Sequence, residues 1–215
     1  MKNHILKSLL LPILFISCGD NIENPDYLNE SLPVGTRVDD LMSRMNLYEK
    51  ACQMNQFVGI EHMKKSEMDL SEEDKKKSDT KGFYKGVFSD GVKQMIIDGK
   101  IGSFLHVLTA EEANYLQELA YQSKLKIPLL IAIDAIHGNA LYEGATVYPS
   151  PITIASTWNE SNSYEVGKQT AFEMRSTGSH WALTPNIDVM RDARWGRVGE
   201  TFGEDPYLVT QMGIA

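Results

Sequence analysis

An uninterrupted apolar run, IPLLIAI at residues 127–133, constrains the fold of this 215-residue chain more than any other feature. Because such a strand has no polar face, it is typical of a parallel strand that helices cover on both sides. Another strand-like run, IGSFLHVL at 101–108, precedes it, and the segment between them has a helical pattern that begins at a Thr109/Glu112 capping box. Strand, helix and strand in this order predict a βαβ unit and an α/β fold.

The flanking patterns extend this unit in both directions. GTRVDDLMSRM and NLYEKACQM predict two short helices upstream, the second with Asn46 and Glu49 in capping-box positions. Downstream, a helix over about 161–177 is expected to end at Gly178, and the alternating pattern of WALTPNIDV predicts a third strand. The mixed-charge stretch 63–81 predicts a solvated surface insert. Three strands with intervening helices fit either an open doubly wound sheet or the beginning of a (β/α)8 barrel.

The composition and charge of the chain narrow the classes of partner. With 42% apolar and 23% charged residues, the chain is suited to one sizeable core rather than to disorder. A net charge of −8 argues against nucleic-acid binding and against recognition of anionic membrane surfaces, since both use clustered Lys and Arg. Nucleotide binding is also disfavoured, because no glycine-rich phosphate loop follows the first predicted strand.

The N-terminus has the pattern of an export signal. Basic residues precede the apolar stretch SLLLPILFI, which is too short to span a bilayer. The FISC sequence that follows resembles the lipobox of bacterial lipoproteins, so we expect a signal peptide over 1–17, lipidation at Cys18 and a polar tether over 18–33. An ordinary secretory signal with an incidental cysteine is the alternative. The other cysteine, Cys52, leaves no disulfide framework and is expected to be a buried thiol.

Chemically active side chains follow the central predicted strand. Asp134 directly ends the apolar run, and burial of its carboxylate without a partner would cost several kcal/mol, so a protein or ligand partner is expected. His137 lies three residues further on, and Asp-x-x-His is compatible with a metal pair. Because no other His, Asp or Glu cluster has ligand spacing, a hydrogen-bonded structural histidine is favoured.

An arginine-rich loop follows the third predicted strand, in the stretch DARWGRVGETFGEDP at 192–206. Arg191 directly precedes this stretch, and the charged side chains within it include Arg194, Arg197, Glu200, Glu204 and Asp205. A guanidinium is a planar fork that matches a carboxylate or a vicinal diol, so we expect at least two arginines to hold the loop and the third to face a ligand. Trp195 is compatible with stacking on a sugar and with packing of the loop.

These motifs carry a family resemblance. IAIDAIHG, the YP of GATVYPSPITIASTWN, the strand-like HWALTPNIDV and the loop RWGRVGETFGEDP follow one another in this order. Together they closely resemble the N-terminal barrel domain of glycoside hydrolase family three, particularly its bacterial β-glucosidases. The resemblance covers roughly residues 34–215 and implies the N-terminal part of a (β/α)8 barrel, here truncated after about three strands.

The resemblance also implies an activity and site residues. Family members are retaining exo-glycosidases that act at the non-reducing end, without a cofactor or metal. In the family, sugar hydroxyls are bound by the strand-end aspartate and by the arginine of the GR that follows Trp. The resemblance therefore implies substrate-binding roles for Asp134 and Arg197. It also implies that the neighbouring arginines and acids hold Arg197 in place. The family's nucleophile and acid/base residues follow later, so we expect them beyond Ala215 and expect this chain alone to be inactive.

The expected partner is a β-linked glucoside or oligosaccharide, with no nucleic acid and with membrane contact only through a lipid anchor at Cys18. The expected location is the periplasm or outer membrane of a Gram-negative bacterium. Two alternatives stay open. One is a non-catalytic glycan-binding surface lipoprotein, and the other is a metal-dependent barrel hydrolase with Asp134 and His137 as ligands.

Overall fold

The computed structural model describes residues 25–71, 73, 84 and 86–215. The expected signal peptide and Cys18 lie outside the described residues. Residues 72 and 74–81 of the expected insert at 63–81 also lie outside them. The chain divides into two compact units, one that ends at Met45 and one that spans Asn46–Ala215. No helix in the described part of the chain has the length and apolar character needed to cross a membrane.

The described part of the first unit contains a short 3-10 helix, Asp26–Leu28, and the helix α1, Val34–Arg44. Asp40 connects them, because its carboxylate accepts the backbone N–H of Tyr27 at 3.1 Å and forms an ion pair with Arg44 at 2.9 Å. Tyr27, within the expected tether of 18–33, is therefore bonded to α1.

The described residues of the second unit form a four-stranded parallel sheet in which the spatial order of the strands is their order in the chain. The strands are β1 (Gln56–Val58), β2 (Ser103–Leu105), β3 (Leu130–Ile133) and β4 (Trp181–Ala182). Consecutive parallel strands with helices between them are the arrangement found at the start of a (β/α)8 barrel. The sequence predicts three of these strands and misses β1, whose three residues are too few to show a period.

Helices precede, connect and follow the strands of the second unit. Within the described residues they are α2 (Leu47–Cys52), α3 (Ile60–Asp69), α4 (Ser89–Ile97), α5 (Ala110–Ala120), α6 (Pro151–Ala155), α7 (Glu160–Ser176) and α8 (Pro206–Ile214). The predicted capping box of α2 is present, with Asn46 Oδ1 accepting from Glu49 N–H and Glu49 Oε2 accepting from Asn46 N–H. As predicted, α7 ends before Gly178, which has a left-handed φ of 87°.

Two predicted boundaries are wrong. The first part of the expected surface insert belongs to α3, where Met63 and Ser66 are buried. The predicted strand over WALTPNIDV ends after Ala182, and Ile187, on the apolar side of the alternating pattern, is 61% exposed. Alternation alone predicted a longer strand, but Pro185 has no N–H to donate to a sheet ladder, so the chain leaves the sheet before it.

The core confirms the interpretation of the central apolar run. Ile131, Ala132 and Ile133 in β3 are completely buried. Because successive side chains of a strand point to opposite faces, β3 is covered on both sides. Phe104 of β2 and Leu116 of α5 belong to the same buried cluster as Ile131. This packing fixes the carboxyl ends of β2 and β3 next to each other.

Candidate functional site

Asp134 and His106 meet at the carboxyl ends of two neighbouring strands. Asp134 directly follows β3 and His106 directly follows β2, and the register of the two strands pairs Leu105 with Ala132. His106 Nε2 lies 3.0 Å from Asp134 Oδ2, with the side chains 21% and 36% exposed respectively. The protein therefore supplies one partner for the strand-end carboxylate, as the sequence led us to expect, and this partner is His106.

The backbone of His106 has an unusual conformation. Its φ of 56° lies in the left-handed region, which costs a residue other than glycine roughly 1–2 kcal/mol. Histidine is among the residue types that are enriched there. Its backbone N–H donates to the carbonyl of Ala132 at 2.9 Å, so both the main chain and the side chain of His106 are bonded to the β3 segment. The ring of His62, from α3, lies 6.0 Å from the His106 ring, measured between centroids.

His137 lies apart from this pair. Its Nδ1 is 3.2 Å from the carbonyl oxygen of Tyr148, and the Tyr148 N–H donates to the His137 carbonyl at 2.9 Å. These bonds fix the loop between β3 and α6, which is the geometry of a structural histidine. No three His, Cys, Asp or Glu side chains among the described residues lie together in a way that could hold a metal ion.

The arginine-rich loop has two internal ion pairs. Arg197 Nε donates to Glu200 Oε2 at 2.7 Å, and Asn186, which follows β4, donates its side-chain N–H to the same oxygen at 3.1 Å. Arg194 Nε donates to Asp192 Oδ1 at 3.0 Å. The two terminal nitrogens of Arg197 form no hydrogen bond with any described residue, and the side chain is 57% exposed.

The other charged residues of the loop have different roles from those expected. Asp205 caps α8, since its carboxylate accepts the N–H groups of Tyr207 and Leu208 at 2.7 and 3.0 Å. Arg191, which we expected to support the loop, is exposed and has no ion-pair partner among the described residues. Thus the structure pairs Arg194 and Arg197 within the loop and leaves Arg191 unpaired.

The two expected substrate-binding residues follow neighbouring strands without contacting each other. Asp134 and Arg197 form no hydrogen bond or ion pair with one another. Hydrogen bonds nevertheless connect their segments to the same edge: Leu183 N–H, just after β4, donates to the carbonyl of Ile133 at 3.1 Å, and Asn186, three residues later, donates to Glu200, the partner of Arg197, at 3.1 Å. Both therefore belong to the carboxyl-terminal edge of the sheet, where the active sites of (β/α)8 barrels lie.

Glu112 is a buried carboxyl in the first turn of α5. Its side chain is on α5, but Oε1 accepts the backbone N–H of Glu61 in the first turn of α3, at 3.0 Å. The predicted capping box is thus only half present, because Thr109 Oγ1 accepts from the Glu112 N–H while the Glu112 side chain is directed elsewhere. Burial raises the pKa of Glu112, although the N–H of Glu61 opposes this shift.

Comparison with known proteins gives consistent matches. The family model described as the glycosyl hydrolase family 3 N-terminal domain matches residues 47–215. A periplasmic β-glucosidase of Salmonella typhimurium is 37% identical over 125 residues, which are 58% of this chain and 16% of that protein. A putative β-xylosidase of Formosa agariphila is 31% identical over 206 residues, which are 94% of this chain and 26% of that protein.

The solved structure of a β-glucosidase from Erythrobacter marinus superposes with a TM-score of 0.68 and 27% identity, covering 88% of this chain and 23% of that one. The chain thus spans less than a third of the length of the relatives it matches. The family model that matches describes an N-terminal domain.

Proposed function

The chain belongs to glycosyl hydrolase family 3, and from this premise we propose that the protein containing it is a retaining, exo-acting β-glucosidase. It hydrolyses O-glycosyl bonds from the non-reducing end of β-glucosides or oligosaccharides. The observation that carries the proposal is the position of Asp134, a partly exposed carboxylate at the carboxyl end of β3. One of its oxygens is bonded to His106, and the other, Oδ1, accepts no hydrogen bond from any described residue and is available to sugar hydroxyls.

In this proposal the chain supplies the sugar-binding part of the site. Asp134 accepts hydrogen bonds from hydroxyls of the terminal sugar, and the terminal nitrogens of Arg197 donate to further hydroxyls. Glu200 fixes the guanidinium through Nε at 2.7 Å, so that its outer edge stays free for the ligand. Retaining hydrolysis requires two carboxyl groups about 5 Å apart. We assign the nucleophile and the acid/base residue to later parts of the protein.

The experiment that tests the function is a turnover assay on the full-length natural protein. We expect release of nitrophenol from an aryl β-glucoside, with the β-configuration retained in the first-formed sugar. An aryl α-glucoside should give no turnover and serves as the control. Binding of glucosides without any hydrolysis would favour the alternative of a glycan-binding lipoprotein, and an activity abolished by a chelator would favour the metal-dependent hydrolase.

β-Xylosidase activity is the second candidate, because the Formosa protein that matches 94% of this chain is described as a putative β-xylosidase. Xylose lacks the hydroxymethyl group of glucose, and a difference of this size in a pocket changes transition-state binding by about 1–3 kcal/mol. The ratio of kcat/KM for aryl β-glucoside and aryl β-xyloside in the same assay therefore assigns the sugar. A ratio above one supports the glucosidase, and a ratio below one supports the xylosidase.

Export and lipid anchoring form part of the same proposal. The matched Salmonella protein is periplasmic, and the N-terminal sequence of this chain combines basic residues, a short apolar stretch and FISC. In this proposal the signal peptide covers residues 1–17, and Cys18 carries the lipid that holds the protein at the periplasmic or outer membrane.

An alkyne-tagged fatty acid supplied to the producing cells is expected to label the protein through Cys18. Cys18→Ser should abolish the label, because the hydroxyl cannot be lipidated in the same way. Cys52→Ser is the matched control and should keep the label, since Cys52 is buried within the second unit at 4% exposure. Label that persists in Cys18→Ser would contradict the anchor and favour an ordinary secretory signal.

A further inference from the structure

The bond between His106 and Asp134 joins two different βα units. Asp134 extends from the end of β3, whereas His106 extends from the end of β2, 28 residues earlier in the chain. A carboxylate at the end of a strand rotates readily about its terminal bond, because torsions of this type have broad energy wells. The contact at 3.0 Å restricts that rotation and fixes which oxygen of Asp134 is directed away from His106.

The main chain holds His106 in the conformation that this contact requires. Its left-handed backbone is bonded to Ala132 on one side. On the other side, Gly59 at the end of β1 packs against it so closely that a Cβ atom at position 59 would lie 2.9 Å from the His106 carbonyl oxygen. A strained residue persists where its surroundings determine its conformation in this way, and such residues are concentrated at functional sites.

We propose that His106 is a positioning residue, which orients the carboxylate of Asp134 so that Oδ1 faces the hydroxyls of the bound sugar. This inference rests on the proposed glycosidase function. His106 itself does not touch the sugar in this arrangement. Because the carboxylate oxygen is an acceptor, Nε2 must be the protonated nitrogen of the His106 ring.

Two substitutions separate the side-chain contact from the backbone conformation. In His106→Asn the new residue tolerates the left-handed backbone, but its amide is one bond too short to replace Nε2. In His106→Gln the amide nitrogen is as many bonds from the Cα atom as Nε2 is, so the contact with Asp134 can form again. The comparison therefore tests the hydrogen bond rather than the fold.

We expect His106→Asn to lower kcat for an aryl β-glucoside at least about tenfold, with the unfolding temperature nearly unchanged. His106→Gln should recover most of that loss. In the Asp134→Asn background, His106→Asn should have little further effect, because its partner is already altered. Equal activity of both single variants and wild type, or effects that simply multiply in the double variant, would overturn the inference.

A spectroscopic measurement separates this inference from the proposed function. In the 15N spectrum of histidine-labelled protein at neutral pH, His106 should be in the form protonated at Nε2, and Asp134→Asn should shift this signal. An unchanged signal would overturn the positioning role whether or not the protein hydrolyses glycosides. The other informative result is a protein that has no glycosidase activity but whose His106 signal does shift. The contact between His106 and Asp134 would then be present, but the proposed function in glycoside hydrolysis would be overturned. The role of His106 in orienting a carboxylate toward a sugar would be overturned with it.

Discussion

Replacement of Asp134 by Asn is expected to lower kcat/KM for an aryl β-glucoside by at least about a hundredfold. In the proposed site the carboxylate accepts charge-assisted hydrogen bonds from sugar hydroxyls, and each hydrogen bond to a charged group contributes about 1.5–3 kcal/mol. A tenfold change in rate corresponds to about 1.4 kcal/mol, so the loss of one or two such bonds at the transition state reaches this magnitude. The substitution also alters the acceptor of the His106 bond, which adds to the loss.

Asp98→Asn is the matched control for this experiment. The Asp98 side chain is 36% exposed, as is that of Asp134, and it forms an ion pair with Lys100 at 2.9 Å. Asp98 precedes β2, however, and therefore lies at the amino end of the sheet, away from the proposed site. We expect its variant to stay within about twofold of wild type, as measured by steady-state kinetics. An unchanged rate in Asp134→Asn, with a normal unfolding temperature, would exclude Asp134 from the site.

Replacement of Arg197 by Lys is expected to be nearly as damaging as replacement by Ala, with each lowering kcat/KM about a hundredfold. The Arg197 guanidinium uses Nε for Glu200 and has both terminal nitrogens free for hydroxyls. A lysine has a single ammonium group, which cannot hold Glu200 and reproduce a forked contact with a sugar at the same time. Kinetics of the two variants on the same aryl β-glucoside measure this directly.

Two other arginines of the loop provide the comparison. Arg194→Lys should be mild, because Arg194 is exposed and pairs only with Asp192, at the surface. Arg191→Lys should also be mild, since Arg191 is exposed. The structure gives Arg191 no ion-pair partner among the described residues. The Arg191 variant is therefore the sharper test of which arginine binds the ligand. A loss in Arg191→Lys equal to that in Arg197→Lys would show that the assignment of the ligand-binding arginine is wrong.

The sequence predicted the parts of the fold that depend on local patterns. The apolar run at β3, the capping box of α2 and the end of α7 each follow from residues close together in the chain, and each is present. The strand β1 and the end of β4 were not predicted, because short strands are defined by hydrogen bonds to their neighbours rather than by their own composition.

The same limit applies to the candidate site, where the sequence indicated residues but not their partners from other segments. The position of Asp134 after an apolar strand indicated a residue that needs a partner, but the identity of that partner depends on the register of β2 against β3. His106 was hidden because the apolar residues after it suggested that the strand continued. The pairing of Arg197 with Glu200 also depends on Asn186, which contacts the same oxygen from 14 residues away.

The buried carboxyl of Glu112 has a consequence for how the second unit assembles. The N-cap residue of α3 is Gly59, which has no side chain that could accept a hydrogen bond. The acceptor is supplied instead by Glu112, which bonds to the N–H of Glu61 and lies 51 residues after it in the sequence. The first turn of α3 therefore has this hydrogen-bond acceptor only where the start of α5 lies against it. A cap supplied over such a distance couples the first turn of α3 to α5, because local opening of either helix end breaks the hydrogen bond that they share.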